Sequence, residues 1–98
     1  MGRLDESQRM VFLENSTGWE LRAESISKTY VLADFNEALG FVVRLGILAE
    51  QADHHPDIDI RWNTVTITLS THSARALTEQ DTDLALAIDG LLTNRVKT

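Results

Sequence analysis

The amino-acid sequence predicts one α+β domain, a four-stranded antiparallel sheet with helices packed on one face, in the order helix, two strands, helix, two strands, helix. Three observations carry that expectation. Val65, Ile67 and Leu69 alternate with Thr64, Thr66 and Thr68, and Ile58, Ile60 and Trp62 alternate with Asp57, Asp59 and Arg61, the period of half-buried strands. Phe35, Ala38, Leu39, Val42, Leu45 and Ala49 recur at helical spacing. The chain has 98 residues, enough for one hydrophobic core and too few for two.

Taken in order, Asp5 is an N-cap candidate for a short helix reaching Asn15, with Met10, Val11 and Leu13 as its apolar residues. Ser16, Thr17 and Gly18 signal a turn, after which Trp19 to Arg22 and Ser25 to Leu32 read as strands joined around Ala23 and Glu24. Asp34 with Glu37 three residues later marks the start of the long helix, Phe35 to Gln51. Phe41, Val43, Ile47 and Leu48 spread its apolar surface beyond one stripe, so the helix is predicted to be covered on two sides, by its own sheet and by another subunit. Pro56 forbids helix continuation and starts the third strand. Asn63 turns the chain into the fourth, antiparallel to the third. Thr78 and Asp81 repeat the capping pattern ahead of Leu84, Ala85, Ile88, Leu91 and Leu92, and Thr93 to Thr98 read as a frayed polar tail.

Composition narrows the function classes. Fifteen acidic residues against nine Lys and Arg give a net charge of −6, which repels a phosphate backbone and argues against direct nucleic-acid binding. No apolar run has the length of a bilayer span, and the start lacks the apolar segment of a secretory signal, so a cytoplasmic protein is expected. There is no cysteine, which removes thiolate nucleophiles and thiolate metal sites. Catalysis falls to histidines, carboxylates, hydroxyls or backbone groups.

All three histidines, His54, His55 and His72, lie at predicted element ends, two beyond the long helix and one beyond the fourth strand. Antiparallel pairing puts Pro56 opposite the segment Ser70 to His72, so the rings are expected to share one cleft. A histidine cluster holds one ring as acid and another as base at the same pH, which elimination of water requires. Blander readings stand beside this one: a histidine pair at a helix end also caps carbonyls, a histidine in a Ser-Thr-His-Ser turn is commonly solvated, and Glu50 and Asp53 suit plain surface charge. Three histidines match the ligand count of some zinc sites, but adjacent side chains diverge and the HExxH spacing is absent, so no metal is expected.

The spaced set Glu50, His54-His55-Pro56, Trp62, His72 and Asp81 resembles the signature of the pterin-4a-carbinolamine dehydratase family. With Gly18-Trp19, Tyr30, Phe35, Ala38, Ser70-Thr71 and Leu77-Thr78, the resemblance runs over about residues 12 to 92 of a single domain spanning 1–98. It implies a homodimer or homotetramer that dehydrates 4a-hydroxy-tetrahydrobiopterin to a quinonoid dihydropterin in pterin recycling, without a metal or organic cofactor. It further implies His54 and His72 as the acid/base pair and His55 as the residue orienting the pterin. Glu50 and Asp53 border the pocket, Ser70 and Thr71 meet the edge of the pterin ring, and Asp81 orients His72 unless it only caps its helix. Family members also include a dimerisation cofactor of a transcription factor and proteins linked to enzyme assembly, the alternative function. Ala76 stands where the family usually has glycine, which implies a strained turn if that position takes a positive φ. Ile58 replaces a frequent aromatic.

Overall fold

The computed structural model describes residues 2–93, which form three helices and four strands. They are α1 (Glu6–Asn15), β1 (Glu20–Arg22), β2 (Ser25–Val31), α2 (Phe35–Ala52), β3 (Asp57–Arg61), β4 (Thr64–Leu69) and α3 (Glu79–Thr93). The strands make one antiparallel sheet in the order β1-β2-β4-β3. Thr93 closes α3, and the rest of the predicted tail lies outside the described residues.

Each helix begins where side chains satisfy its first free N–H groups. Asp5 and Gln8 exchange hydrogen bonds of 2.8 Å in a reciprocal capping box, and Asp34 Oδ1 accepts from Glu37 N at 2.8 Å. α2 ends on Asp53 in the left-handed conformation, φ 51°, and the His54 N–H returns to the Ala49 carbonyl at 3.0 Å. That reversal lets the chain leave the helix and enter β3 within four residues.

The register sorts the side chains by chemistry. Ile26 faces Leu69 and Tyr30 faces Val65 across the pairs, buried under the helices, while Ile58, opposite Ile67 on the edge strand, is exposed. Ser27 opposite Thr68 and Thr29 opposite Thr66 lie on the other face, where their hydroxyls bond across the strands at 3.3 and 3.1 Å. The core joins Ile26, Val65, Ile67 and Leu69 to Phe41 and Leu45 of α2 and Ala85 and Ile88 of α3, all fully buried. Each large one contributes about 1.5–3 kcal/mol of hydrophobic stabilisation.

Two expectations change. Trp62 does not continue the buried alternation: β3 stops at Arg61, and Trp62 occupies the turn at φ 50°, 69% exposed. Phe41, expected to widen the apolar surface of α2 beyond one stripe, belongs to the core stripe itself. The exposed apolar positions of α2 are Phe35, Leu39, Val43 and Ile47, four residues apart and therefore one stripe along the helix.

Candidate active site

The β3–β4 register aligns Asp57 with Thr68, so continuing it two or three residues brings the end of α2 beside Thr71. His54 lies there, 8% exposed, with Nε2 2.5 Å from Oδ1 of Asp81. Asp81, in the first turn of α3, is completely buried. Its other oxygen, Oδ2, accepts from the Thr71 hydroxyl at 2.8 Å and the Thr78 N–H at 2.9 Å. The Thr78 hydroxyl lies 2.7 Å from that of Thr71 and accepts from Gln80 N at 3.3 Å. Since the Thr71 proton points at Asp81, the Thr78 proton points at Thr71, and the chain of bonds runs one way from Gln80 to Asp81.

That direction fixes the ring. An ionised carboxylate only accepts, and Oδ2 already holds two donors, so Oδ1 takes the proton on Nε2 and Nδ1 of His54 is left for other chemistry. Asp81 is also placed to stabilise the imidazolium that forms when Nδ1 takes up a proton. The cost of burying this carboxylate is offset only while its partners stay in place. Asp81 thus orients His54, whereas the sequence pointed it at His72. The reason is the loop after β4, which turns Thr71 inward and leaves the next side chain outside.

His72 is exposed at the start of a loop closed by the pairing of Thr71 with Ala76, whose backbone bonds are 3.0 and 3.3 Å. The positive φ of this loop falls on Arg75, 51°, and Ala76 is not among the positive-φ residues. The strain expected at Ala76 is therefore absent. His55 is exposed and bonds Glu50 Oε1 at 2.7 Å, a surface pair worth about 0–1 kcal/mol. Asp53 is an exposed cap residue. The Ser70 hydroxyl donates to the Glu24 carbonyl at 2.7 Å, and every polar group of Thr71 is engaged within the loop or with Asp81 and Thr78.

Of the three histidines, His54 lines a cavity of about 290 Å³ between α2 and α3, walled by Leu48, Ala52, Gln80, Asp83, Leu84 and Ala87. His55 and His72 stand on the surface beside the same helix end and loop, so the shared cleft expected for all three rings is not formed by these walls. Among the described residues, no three His, Asp or Glu side chains come together as a metal-ligand set. Sequence reasoning missed Thr78 as a partner of Thr71, because a capping threonine already accounts for its hydroxyl. It also missed Glu24, whose contacts lie 46 and 53 positions away and leave no local pattern.

The fold and this helix-end arrangement define a class, small α+β proteins that hold a buried histidine-aspartate pair where a long helix meets a four-stranded sheet. The chain belongs to the pterin 4 alpha carbinolamine dehydratase family, whose model matches residues 2–91. A relative from Roseiflexus sp. (strain RS-1), provisionally named a pterin-4-alpha-carbinolamine dehydratase, is 47% identical over 90 residues, 92% of this chain and 97% of its own. One from Chloroflexus aurantiacus with the same provisional name is 46% identical over 92 residues, 94% and 99% of the two chains. A crystal structure from Brucella melitensis, described as a transcriptional coactivator/pterin dehydratase, superposes with TM-score 0.88 at 34% identity over 92% of this chain and 98% of that one. A pterin dehydratase-like protein, described as a RuBisCO assembly factor in the alpha-carboxysome, shares the fold at 22% identity and TM-score 0.64, over 78% and 88% of the chains.

Proposed function

We propose that the protein dehydrates 4a-hydroxy-tetrahydrobiopterin to quinonoid dihydropterin and water, by histidine acid/base catalysis, as a cytoplasmic hydro-lyase in pterin recycling. The observation that carries this reading is the His54–Asp81 pair, a ring held in one tautomer by a fully buried carboxylate. In the reaction the C4a–O bond breaks as one imidazole gives its proton to the departing hydroxyl, while another takes the proton from N5 and the N5 electron pair forms the new double bond. His54, through Nδ1, and His72 fill these two roles. His55, paired with Glu50, orients the pterin, and Asp53 borders the same end of α2. Ser70 is a better contact for the ring edge than Thr71: its hydroxyl donates to the Glu24 carbonyl but can still accept, whereas the Thr71 hydroxyl already both donates and accepts. The assigned chemistry is general acid/base throughout, carried by side chains alone.

The test is the decay of enzymatically generated 4a-hydroxy-tetrahydropterin, followed by stopped-flow absorbance. Wild type accelerates it, and His54→Ala and His72→Ala each lose at least about a hundredfold. A folded wild type that leaves the decay unchanged removes the dehydratase reading.

A second reading, assembly rather than catalysis, draws on the exposed stripe Phe35, Leu39, Val43 and Ile47 and on the coactivator and assembly-factor descriptions of the two solved relatives. Both readings share one consequence: the stripe is covered by a second copy, in a homodimer or homotetramer. Val43→Glu places a charge in its middle and is expected to lower the mass seen by sedimentation at micromolar concentration. A wild type that already sediments as a monomer contradicts the oligomer.

A further inference from the structure

The loop that carries His72 stands on two feet, and both rest on Glu24. At one foot the Ser70 hydroxyl donates to the Glu24 carbonyl at 2.7 Å, and at the other the Leu77 N–H donates to Glu24 Oε1 at 3.1 Å. Between the feet, the four residues from His72 to Arg75 are all exposed and bury no side chain of their own. The position of such a segment is set by its ends rather than by packing.

Glu24 is itself held from the opposite side. Arg9 Nη2 donates to Oε1 at 2.6 Å, and Arg3 donates to Oε2 from Nη2 at 2.9 Å and Nε at 3.1 Å. Arg9 is 7% exposed, and its remaining donors close on the carbonyls of Leu4 and Ala23 at 2.9 Å each. The Leu4 N–H bonds the Leu77 carbonyl at 2.9 Å, so the start of the chain and the β1–β2 turn grip the same residue of the loop. None of these residues belongs to the chemistry described above, yet together they form a rigid bracket under it.

We propose that Glu24 is a positioning residue for His72, its main chain and carboxylate holding the two feet of the loop so that the imidazole is presented in one place. The catalytic half of this proposal rests on the reading of His72 as an acid/base residue; the loop-ordering half does not. A merely structural Glu24 would stabilise the whole fold evenly. A positioning Glu24 acts locally, and an uncharged acceptor in its place still receives the Leu77 N–H.

Hydrogen exchange followed by NMR without substrate separates these cases, using wild type, Glu24→Ala, Glu24→Gln and Ser70→Ala. In Glu24→Ala and Ser70→Ala the exchange of the Thr71 and Ala76 amides is expected to accelerate at least about tenfold more than that of Tyr30 and Val65 in the sheet centre, whose change reports only the loss of global stability. Glu24→Gln keeps the loop amides near the wild-type rate. In turnover, Glu24→Ala lowers kcat about tenfold with KM within about twofold, and Glu24→Gln recovers most of it. Unchanged loop exchange in Glu24→Ala and Ser70→Ala, or acceleration spread evenly over the sheet, overturns the proposal. So does a loosened loop with full kcat. If Glu24→Ala does not fold, Ser70→Ala and Glu24→Gln decide by the same exchange criterion. A wild type without dehydratase activity overturns the proposed function and the catalytic half, and exchange alone then judges the loop-ordering half.

Discussion

Two carboxylates on α3, Asp81 and Asp89, gather hydrogen bonds from the strands and loops around them, and their partners make them different devices. Eight residues apart, they are separated by about 12 Å along the helix axis. Asp81 takes Thr71, the Thr78 N–H and the His54 ring. Asp89 takes Tyr30 OH at 2.6 Å, Lys28 Nζ at 2.8 Å and Trp19 Nε1 at 2.9 Å. Lys28 also donates to the Thr17 carbonyl and lies over the Tyr30 ring, 4.9 Å from its centroid. Burial, together with the hydrogen bond to Asp89, pushes the Tyr30 hydroxyl far above its ordinary range, so that hydroxyl keeps its proton near neutrality. Asp89 therefore fastens α3 to β2 through an ion pair with Lys28 and a phenol that keeps its proton, whereas Asp81 ends on an imidazole, the side-chain type that ordinarily exchanges a proton near pH 7. A buried carboxylate marks a site only when a partner can exchange a proton.

Asparagine at each position sharpens that contrast. Asp81→Asn turns an acceptor-only group into one that must aim an N–H₂ at a donor, releasing the His54 tautomer. Turnover per folded molecule is expected to fall at least about a hundredfold, with a stability loss of about 1–3 kcal/mol. Asp89→Asn leaves Lys28 partly buried without its counter-charge and costs about 2 kcal/mol, yet turnover stays within about twofold. Urea melts and single-turnover rates on both proteins make the comparison. Equal losses of turnover would show that the two hubs serve the site alike and would break the distinction.

The reach of the sequence differed in the same way between these regions. The strands of period two, the capped helix starts and the hairpin around Ala23 and Glu24 were legible because each rests on neighbours in the chain. The turns themselves were harder, since Ala23, Trp62 and Arg75 adopt φ near 50° without being glycine. Gly18, at φ 93°, marks a turn where an L side chain would be strained. At the site, His54 stood out as a histidine at an element end and the family resemblance pointed to Asp81 and Thr71, but who bonds whom was not legible. The pairing of Asp81 with His54 depends on the inward turn of Thr71, and Asp89 joins Trp19, Lys28 and Tyr30 across 59 to 70 positions. Such partners are set by topology, which alternation and capping do not encode.

Glu24 is a third carboxylate hub and allows a subtler test, because its donors are arginines that keep their charge at any accessible pH. The hydrogen bonds from Arg9 and Arg3, then that from the Leu77 N–H, hold its carboxyl at about 2 instead of 4.5. A folded-state value below the unfolded one means that the unfolded chain binds more protons between those limits, so stability falls as pH drops through the window. The contribution is complete above about pH 4.5 and gone near pH 2. Subtracting a variant isolates it from the other acidic residues: the gap in Tm between wild type and Glu24→Gln is expected to stay constant above pH 5, narrow below 4.5 and close towards pH 2. The side chain is one-third exposed, so added salt should shrink the gap as well. A gap that persists unchanged at pH 2 would mean that the bracket under the His72 loop is held by shape and neutral hydrogen bonds, and that its charges contribute nothing.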